Sequence, residues 1–402
     1  LYFNVAEMSN EINVDKPDLT AEYYTNVLKY DPDFKKKDAV LYNIGYYNYL
    51  AKVYERNDER QNNIELVINW PDYLRLSEDK LRKSIDAFSE IKDTMLDSYY
   101  NTEAVYRLGT LYFDIAFDAR SPLEYYNKSI EYFDIVAAKE GDQLQYVGLF
   151  QRAWTYFNSG KFDLAINDFT TVLEVIKNDS LNTLKTFFEA DAIENIAFSI
   201  IEYDGTDFEQ ASIAADRAKE IFANYMSEEY AKNIIFEMIE LKQKYNAPMQ
   251  AIDLYNTYIY LYPLSKNCPV IIDSIMTIYS KFPSRTRDDK PAEELIILEM
   301  HRLINDYKID SEWFTANSEE DLSDEYAIIS EAYQFLEPML FNNFVQTKSE
   351  EDYFKYRYFV DDYFAFDTYL DQEDLEKSKE IRKRIIDIGL ELAEEKQDPS
   401  YY

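Results

Sequence analysis

The feature that most constrains this chain is a short recurring frame in which a small residue stands where two helices must meet. Tyr42-Asn43-Ile44-Gly45, Tyr106-Arg107-Leu108-Gly109 and Phe150-Gln151-Arg152-Ala153 each run from an aromatic to a small residue three positions on. Phe3-Asn4-Val5-Ala6 fits the same frame, and Glu194-Asn195-Ile196-Ala197 fits it without the aromatic. A second frame alternates with the first. Lys83-Ser84-Ile85-Asp86-Ala87-Phe88 resembles Lys128-Ser129-Ile130-Glu131-Tyr132-Phe133, and the stretches Thr20 to Tyr24, Ala165 to Phe169 and Ala251 to Tyr255 follow suit. Between Leu149 and Ile176 both frames stand side by side. Ala153 and Tyr156 share one helix, Gly160 ends it, and Phe162, Ala165, Phe169 and Val172 lie at helical spacing on the next. Small residues let two antiparallel helices approach closely, and aromatics fill the space beside them.

Helical periodicity dominates elsewhere too, and strand-like alternation with hairpin signals is nearly absent. Prolines mostly fall between periodic stretches, as at Pro32, Pro71, Pro122, Pro248, Pro263 and Pro291, which is helix punctuation. With only 7 glycines in 402 residues, Gly-rich phosphate loops and tight positive-φ turns are scarce. The expected class is all-α, built from helix pairs.

These windows resemble the tetratricopeptide repeat family, whose unit is a helix–turn–helix of about 34 residues. The matches at Phe162-Asp163-Leu164-Ala165 and Phe208-Glu209-Gln210-Ala211 are close. The resemblance covers residues 1–265 and fades over 266–402, where the signature residues thin out. It implies one continuous right-handed α-solenoid of about eight antiparallel helix pairs, degenerate in its second half. The sequence departs from the family pattern in two respects. The family's frequent tryptophan near the start of the first helix is missing at most of these positions. The spacings from Gly45 to Ser84 and from Gly109 to Ser129 are too long for a standard turn. Insertions are therefore expected at about 56–79, containing Ile68-Asn69-Trp70-Pro71-Asp72-Tyr73, and near 117–124. Phe3 to Ala6 falls inside a first helix with no N-cap ahead of it, so further natural sequence is expected upstream. At the other end, 371–396 reads as one amphipathic helix with Ile381, Ile385, Ile388, Leu390 and Leu392 as its apolar residues. Its expected role is a polar-faced terminal cap.

Catalytic chemistry has little to work with. One histidine, His301, and one cysteine, Cys268, are too few for a nucleophile–histidine pair of the usual kind or for a zinc cluster. His301 reads as a surface or packed helix residue and Cys268 as a plain buried thiol at a helix start. Asp204-Gly205-Thr206-Asp207 begins like a calcium loop, but its acids do not continue at the right spacing, so it reads as a turn. No cofactor and no metal ion are expected. Paired carboxylates in an aromatic cleft would suit a carbohydrate-binding or glycoside-cleaving helical protein. The chain has 38 tyrosines and 25 phenylalanines but only three tryptophans, Trp70, Trp154 and Trp313, and sugar platforms usually recruit tryptophan.

Net charge is −35, from 77 acidic and 42 basic residues, which disfavours nucleic acid and anionic lipid. A solvated surface accounts for part of that charge, and partners with neutral or basic protein surfaces fit it as well. No apolar run reaches the length of a membrane span. The resemblance also carries one specific site, a clamp of Lys, Asn and Arg on first helices that grips a peptide carboxylate. Here the clamp positions hold Tyr46, Thr110 and Trp154 after the small residue and Tyr42, Tyr106 and Phe150 before it, so no such clamp is expected. The expected function is a non-catalytic protein–protein scaffold with an acidic, tyrosine-rich surface. Tyr46, Tyr47, Tyr112 and Tyr156, all on first helices, are the candidate partner-binding residues, and each also suits a packing role. A cell-envelope or secretion-complex subunit is the neighbouring alternative, with the cytoplasm and the periplasmic side of a bacterial envelope both open.

Overall fold

The computed structural model describes residues 2–62, 78–119, 121–178, 185–205, 210–224, 228–286, 290–370 and 372–397. Among them are 18 α-helices and one 3-10 turn, and no strand. The chain divides into two compact units, Leu1–Ser199 and Ile200–Tyr402.

The first unit carries α1 (Tyr2–Ile12), α2 (Pro17–Tyr30), α3 (Lys37–Asn62), α4 (Glu78–Thr94), α5 (Asn101–Asp118), α6 (Leu123–Ala137), α7 (Gln145–Asn158), α8 (Phe162–Asn178) and most of α9 (Lys185–Ile201). From α1 to α8 each helix packs on the next in the chain, and α5 also touches α7. The pairs are antiparallel: Lys37 meets Glu90 while Ser84 meets Gly45, and Tyr106 meets Phe133 while Phe113 meets Tyr126. The small-residue frame explains how close the pairs come. Phe88, Phe133 and Phe169 are fully buried. A Cβ at Gly45 would lie 2.7 Å from the Phe88 ring, and one at Gly109 would lie 2.6 Å from the Phe133 ring. The serine of the second frame completes the joint. Ser84 Oγ donates to the Gly45 carbonyl at 2.8 Å, and Ser129 Oγ donates to the Gly109 carbonyl at 2.8 Å. Each buried phenylalanine contributes about 1.5–3 kcal/mol of apolar burial, and this three-residue joint recurs in α3–α4 and α5–α6.

In α7–α8 the frame holds Ala153 and Ala165, both fully buried. Arg152 completes this joint, donating to Asp168 through Nε at 2.7 Å and Nη2 at 2.8 Å, and to Asp134 through Nη1 at 2.6 Å. Gly160 follows α7 with φ of 73°, and Lys161 N–H returns to the Tyr156 carbonyl at 2.9 Å, which closes the helix end.

The stretched spacings have different explanations. α5 runs on to Asp118 and α6 starts at Leu123, so the added length between Gly109 and Ser129 lies in the helices rather than in an inserted loop. Between Gly45 and Ser84, α3 continues to Asn62 and the next helix begins at Glu78, and most of the expected insertion at 56–79 lies outside the described residues. The segment from Ile68 to Tyr73 lies outside the described residues.

The second unit carries a 3-10 turn (Glu202–Asp204), then α10 (Ile213–Asn224), α11 (Glu228–Lys244), α12 (Pro248–Leu261), α13 (Cys268–Lys281), α14 (Ala292–Tyr307), α15 (Glu312–Ala316), α16 (Ser323–Thr347), α17 (Glu350–Phe364) and α18 (Gln372–Lys396). Here too neighbours in sequence pack together, through α11/α12, α12/α13, α13/α14, α16/α17 and α17/α18. The expected boundary at 265/266 falls between α12 and α13, which pack on each other within this unit. A buried ion pair anchors its start: Lys242 Nζ lies 2.7 Å from Asp204 Oδ2, with both side chains almost wholly buried. Asp204 also accepts from Ser212 Oγ and Ala214 N–H, each at 2.8 Å. Near the far end Glu337, buried on α16, accepts two bonds from Arg384 of α18 at 2.8 and 3.0 Å and one from the Tyr356 hydroxyl of α17. α18 buries Ile381 and Ile385 and leaves Ile386 exposed.

Candidate functional site

The first helices of the first unit bear a stripe of tyrosines. Tyr42, Tyr46 and Tyr49 stand about one turn apart on α3, so they share a face. On α5, Glu103, Arg107 and Asp114 share a face in the same way. The two stripes meet rung by rung. Tyr42 Oη donates to Glu103 Oε1 at 3.1 Å, the Arg107 guanidinium lies 5.7 Å from the Tyr46 ring centre, and Tyr49 Oη donates to Asp114 Oδ2 at 2.7 Å. The numbers rise together on both helices, so α3 and α5 run parallel at this joint. Arg107 also pairs with Glu103 at 2.8 Å and lies over Tyr106 at 5.6 Å. Burial pushes the Tyr42 hydroxyl up to about 12, against the pull of Arg107.

Beside the first rung a cleft of about 530 Å³ opens, lined by Tyr42, Tyr99, Tyr100, Thr102, Glu103 and the turn from Gly141 to Leu144. The Tyr42 and Tyr100 rings stack with centres 5.0 Å apart, and Tyr99 stands edge-on to Tyr100 at 5.4 Å. Tyr99 is 91% exposed, so its ring projects into solvent. Local chemistry holds this pair of tyrosines in place. Ser98 Oγ donates to Asp38 Oδ2 at 2.7 Å and accepts from Tyr100 N–H at 3.1 Å. Asn101 then reaches back to the Ile91 and Met95 carbonyls at the end of α4, each at 3.2 Å. On the opposite wall Gly141 adopts φ of 78°, and Asp142 Oδ1 accepts from Leu144 N–H at 2.9 Å. The cleft therefore joins three tyrosines with two carboxylates, those of Glu103 and Asp142.

The four tyrosines singled out from sequence take separate places. Tyr46 lies in the α3–α5 ladder, one turn behind the cleft, and stacks on Tyr42 at 6.4 Å. Tyr47 turns to the other side of α3 and stacks on Tyr24 of α2 at 6.0 Å, and burial first, then Tyr46 and Glu7, raises its hydroxyl. Tyr112 stacks on Tyr132 of α6 at 5.5 Å with Lys128 over its ring. Tyr156 lies between Arg152 and Lys161, at 5.8 and 5.9 Å. All four are half-buried, and none lines the cleft. Tyr99 and Tyr100, which do line it, fall in the link between α4 and α5 and belong to neither recurring frame. The pattern Ser98-Tyr99-Tyr100-Asn101, with a polar residue on each side of two aromatics just before a helix, is the signal that would have found them.

The remaining candidates sort quickly. His301 is exposed on α14. Cys268 is fully buried at the start of α13, and burial raises its thiol to about 11. Gly205, after the 3-10 turn, has φ of 61°. Among the described residues, no group of three or more His, Cys, Asp or Glu could hold a metal ion, and no helix is long and apolar enough to cross a membrane. The chain is thus defined as an all-helical protein of sequentially packed, repeat-like helix pairs. No family model matches it, and no curated protein is significantly similar to it.

Proposed function

We propose that this chain is a non-catalytic protein-binding scaffold of tetratricopeptide-repeat type, with right-handed stacking of its helix pairs. Its first unit takes a polypeptide segment bearing Lys or Arg in the cleft of Tyr42, Tyr99, Tyr100, Glu103 and Asp142. The observation that carries this reading is the cleft itself. A cation set against tyrosine faces gains cation–π attraction, and the Asp142 carboxylate gives it a charge partner. Exposed tyrosines bring large contact area at low entropic cost. The net charge of −35 steers basic segments toward the molecule at low salt.

Two carboxylates among tyrosine rings also suit a glycan, which is the second reading. Protein binding is preferred because Glu103 Oε1 already accepts from both Tyr42 and Arg107. That arrangement holds the carboxylate as a fixed acceptor rather than as an acid delivering a proton.

Selection of peptides from a random display library on the intact chain tests the proposal. The expected winners are rich in Lys and Arg and weaken at high salt. Tyr99→Ala should reduce their affinity by about tenfold or more, the range of an interface hot spot. Winners without basic residues, or binding indifferent to Tyr99→Ala, would sink the reading. Retention on polysaccharide in place of peptide would promote the glycan.

A further inference from the structure

A second cavity, in the other unit and independent of the reading above, is built around an unpartnered acid. It measures about 360 Å³ and lies at the joint of α11, α12 and α13. Its apolar walls are Pro248, Tyr255, Ile278 and Phe282, and its polar lining is Gln243, Asn246, Asp273, Ser274, Thr277 and Lys281. Several polar groups on its walls are already engaged. Gln243 Nε2 donates to Tyr255 Oη at 3.3 Å, and Ser274 Oγ donates to the Val270 carbonyl at 3.0 Å. Arg285 donates to the Asn246 carbonyl at 3.1 Å and to Asn246 Oδ1 at 3.2 Å, and lies over the Phe282 ring. Asn246 itself has φ of 55°, a conformation an Asn tolerates in a tight link between helices.

Asp273 is the one acid in this lining. It is half-buried in the middle of α13, and no hydrogen bond or ion pair engages its carboxylate among the described residues. Burial alone raises its carboxyl above the ordinary range, with no neighbouring donor or cation pulling the other way. A partly desolvated carboxylate is costly without a counter-charge. Lys281, on the same helix two turns on, is exposed at the rim and does not pair with it. The cavity thus combines one unmatched negative charge, hydroxyl and amide groups around it, and an apolar wall suited to a short methylene stem.

We propose that this cavity is a binding site for a primary alkylammonium group, with Asp273 as its charge partner and the Tyr255–Phe282 wall holding the stem. The chemistry is shared by a free alkylamine and by the lysine side chain of a polypeptide, and the test separates the two.

The experiment is a titration of the full chain, followed by amide NMR, with n-butylammonium and with N-acetyl-lysine-N-methylamide. Shifts confined to residues around the cavity are expected, with dissociation constants of the order of 1 mM for ligands this small. Tighter binding of n-butylammonium assigns a free amine, and equal or tighter binding of the blocked lysine assigns a polypeptide side chain. Asp273→Asn should weaken binding at least about tenfold. It should leave the unfolding midpoint unchanged or raised, because it removes an unmatched charge. Lys281→Ala, an exposed change that spares the core, should strengthen binding about twofold by removing a like charge. Undetectable binding, binding that Asp273→Asn leaves intact, or weakening by Lys281→Ala would each overturn the site.

Discussion

Gly109→Ala is the substitution that bears most directly on how the helix pairs close. Its Cβ would lie 2.6, 2.8 and 2.9 Å from three atoms of the Phe133 ring. Phe133 is fully buried, so the ring has no solvent to retreat into. Overpacking of this kind costs about 1–3 kcal/mol. If α5 and α6 part to relieve it, the 2.8 Å bond from Ser129 Oγ to the Gly109 carbonyl weakens as well, at a further cost of about 1 kcal/mol. Against this, Gly to Ala in a helix interior gains about 1 kcal/mol. The expected net loss is therefore about 1–3 kcal/mol, read from equilibrium urea denaturation by far-ultraviolet circular dichroism. Phe133→Leu in the same chain should relieve the clash, giving a coupling of about 0.5 kcal/mol or more in a double-mutant cycle. Gly109→Ala that stabilises the chain by the full helix-propensity gain would refute the reasoning, and so would a double mutant equal to the sum of its singles. Ala153, fully buried, holds the equivalent place in α7–α8, so the frame itself admits a methyl in that pair.

Three further outcomes follow from the packing. Lys242→Ala strands the wholly buried Asp204 without its cation, and should cost about 3–5 kcal/mol, seen as a lowered urea midpoint. Cys268 is fully buried with its thiol raised to about 11, so at mildly alkaline pH a disulfide reagent should label it only at the rate at which the second unit opens. Tyr42 is raised from 10.0 to about 12 in the folded chain. The folded state therefore favours the protonated phenol. That stabilisation is whole below about pH 10 and is lost as pH climbs through about 12. Other buried tyrosines, Tyr326 among them, are raised as well, so ultraviolet titration should show a late tyrosinate step that Tyr42→Phe reduces by one tyrosine.

Much of the core was legible because it is local. The frames around Gly45, Gly109 and Ala153, and the partner frames around Ser84, Ser129 and Ala165, sit at helical spacing, and the contacts they make lie within one helix pair. Helix ends were legible for the same reason at Gly160, Pro248 and Pro291. The stretched spacings were ambiguous because added residues can lengthen a helix or form a loop, and between Gly109 and Ser129 they lengthen the helix. The cleft was not legible. Tyr42 meets Glu103 and Tyr49 meets Asp114 across 61 and 65 residues, and nothing in either local pattern marks the other. The four tyrosines taken from first helices lie in the right helices, but a first helix has several faces, and these four point toward different neighbours. Beyond 265 the recurring frame fades, and the core there is filled with other large side chains, such as Trp313, Tyr333, Tyr363 and Phe366, all at most 1% exposed. Asp273 gave no signal of its own among 77 acidic residues, since only the fold leaves it without a partner.

The central claim is that the tyrosine–carboxylate cleft of the first unit holds a basic polypeptide segment. The most direct measurement places the photo-crosslinker p-benzoylphenylalanine at Tyr99, which is 91% exposed, and at Leu164 on α8, which is 48% exposed, as a control. Both chains are irradiated in native lysate, and adducts are mapped by mass spectrometry. The account predicts a protein adduct from position 99 alone, attached near Lys or Arg of the partner and diminished by salt and by Asp142→Asn. No adduct at position 99, or the same adduct from position 164, would contradict it.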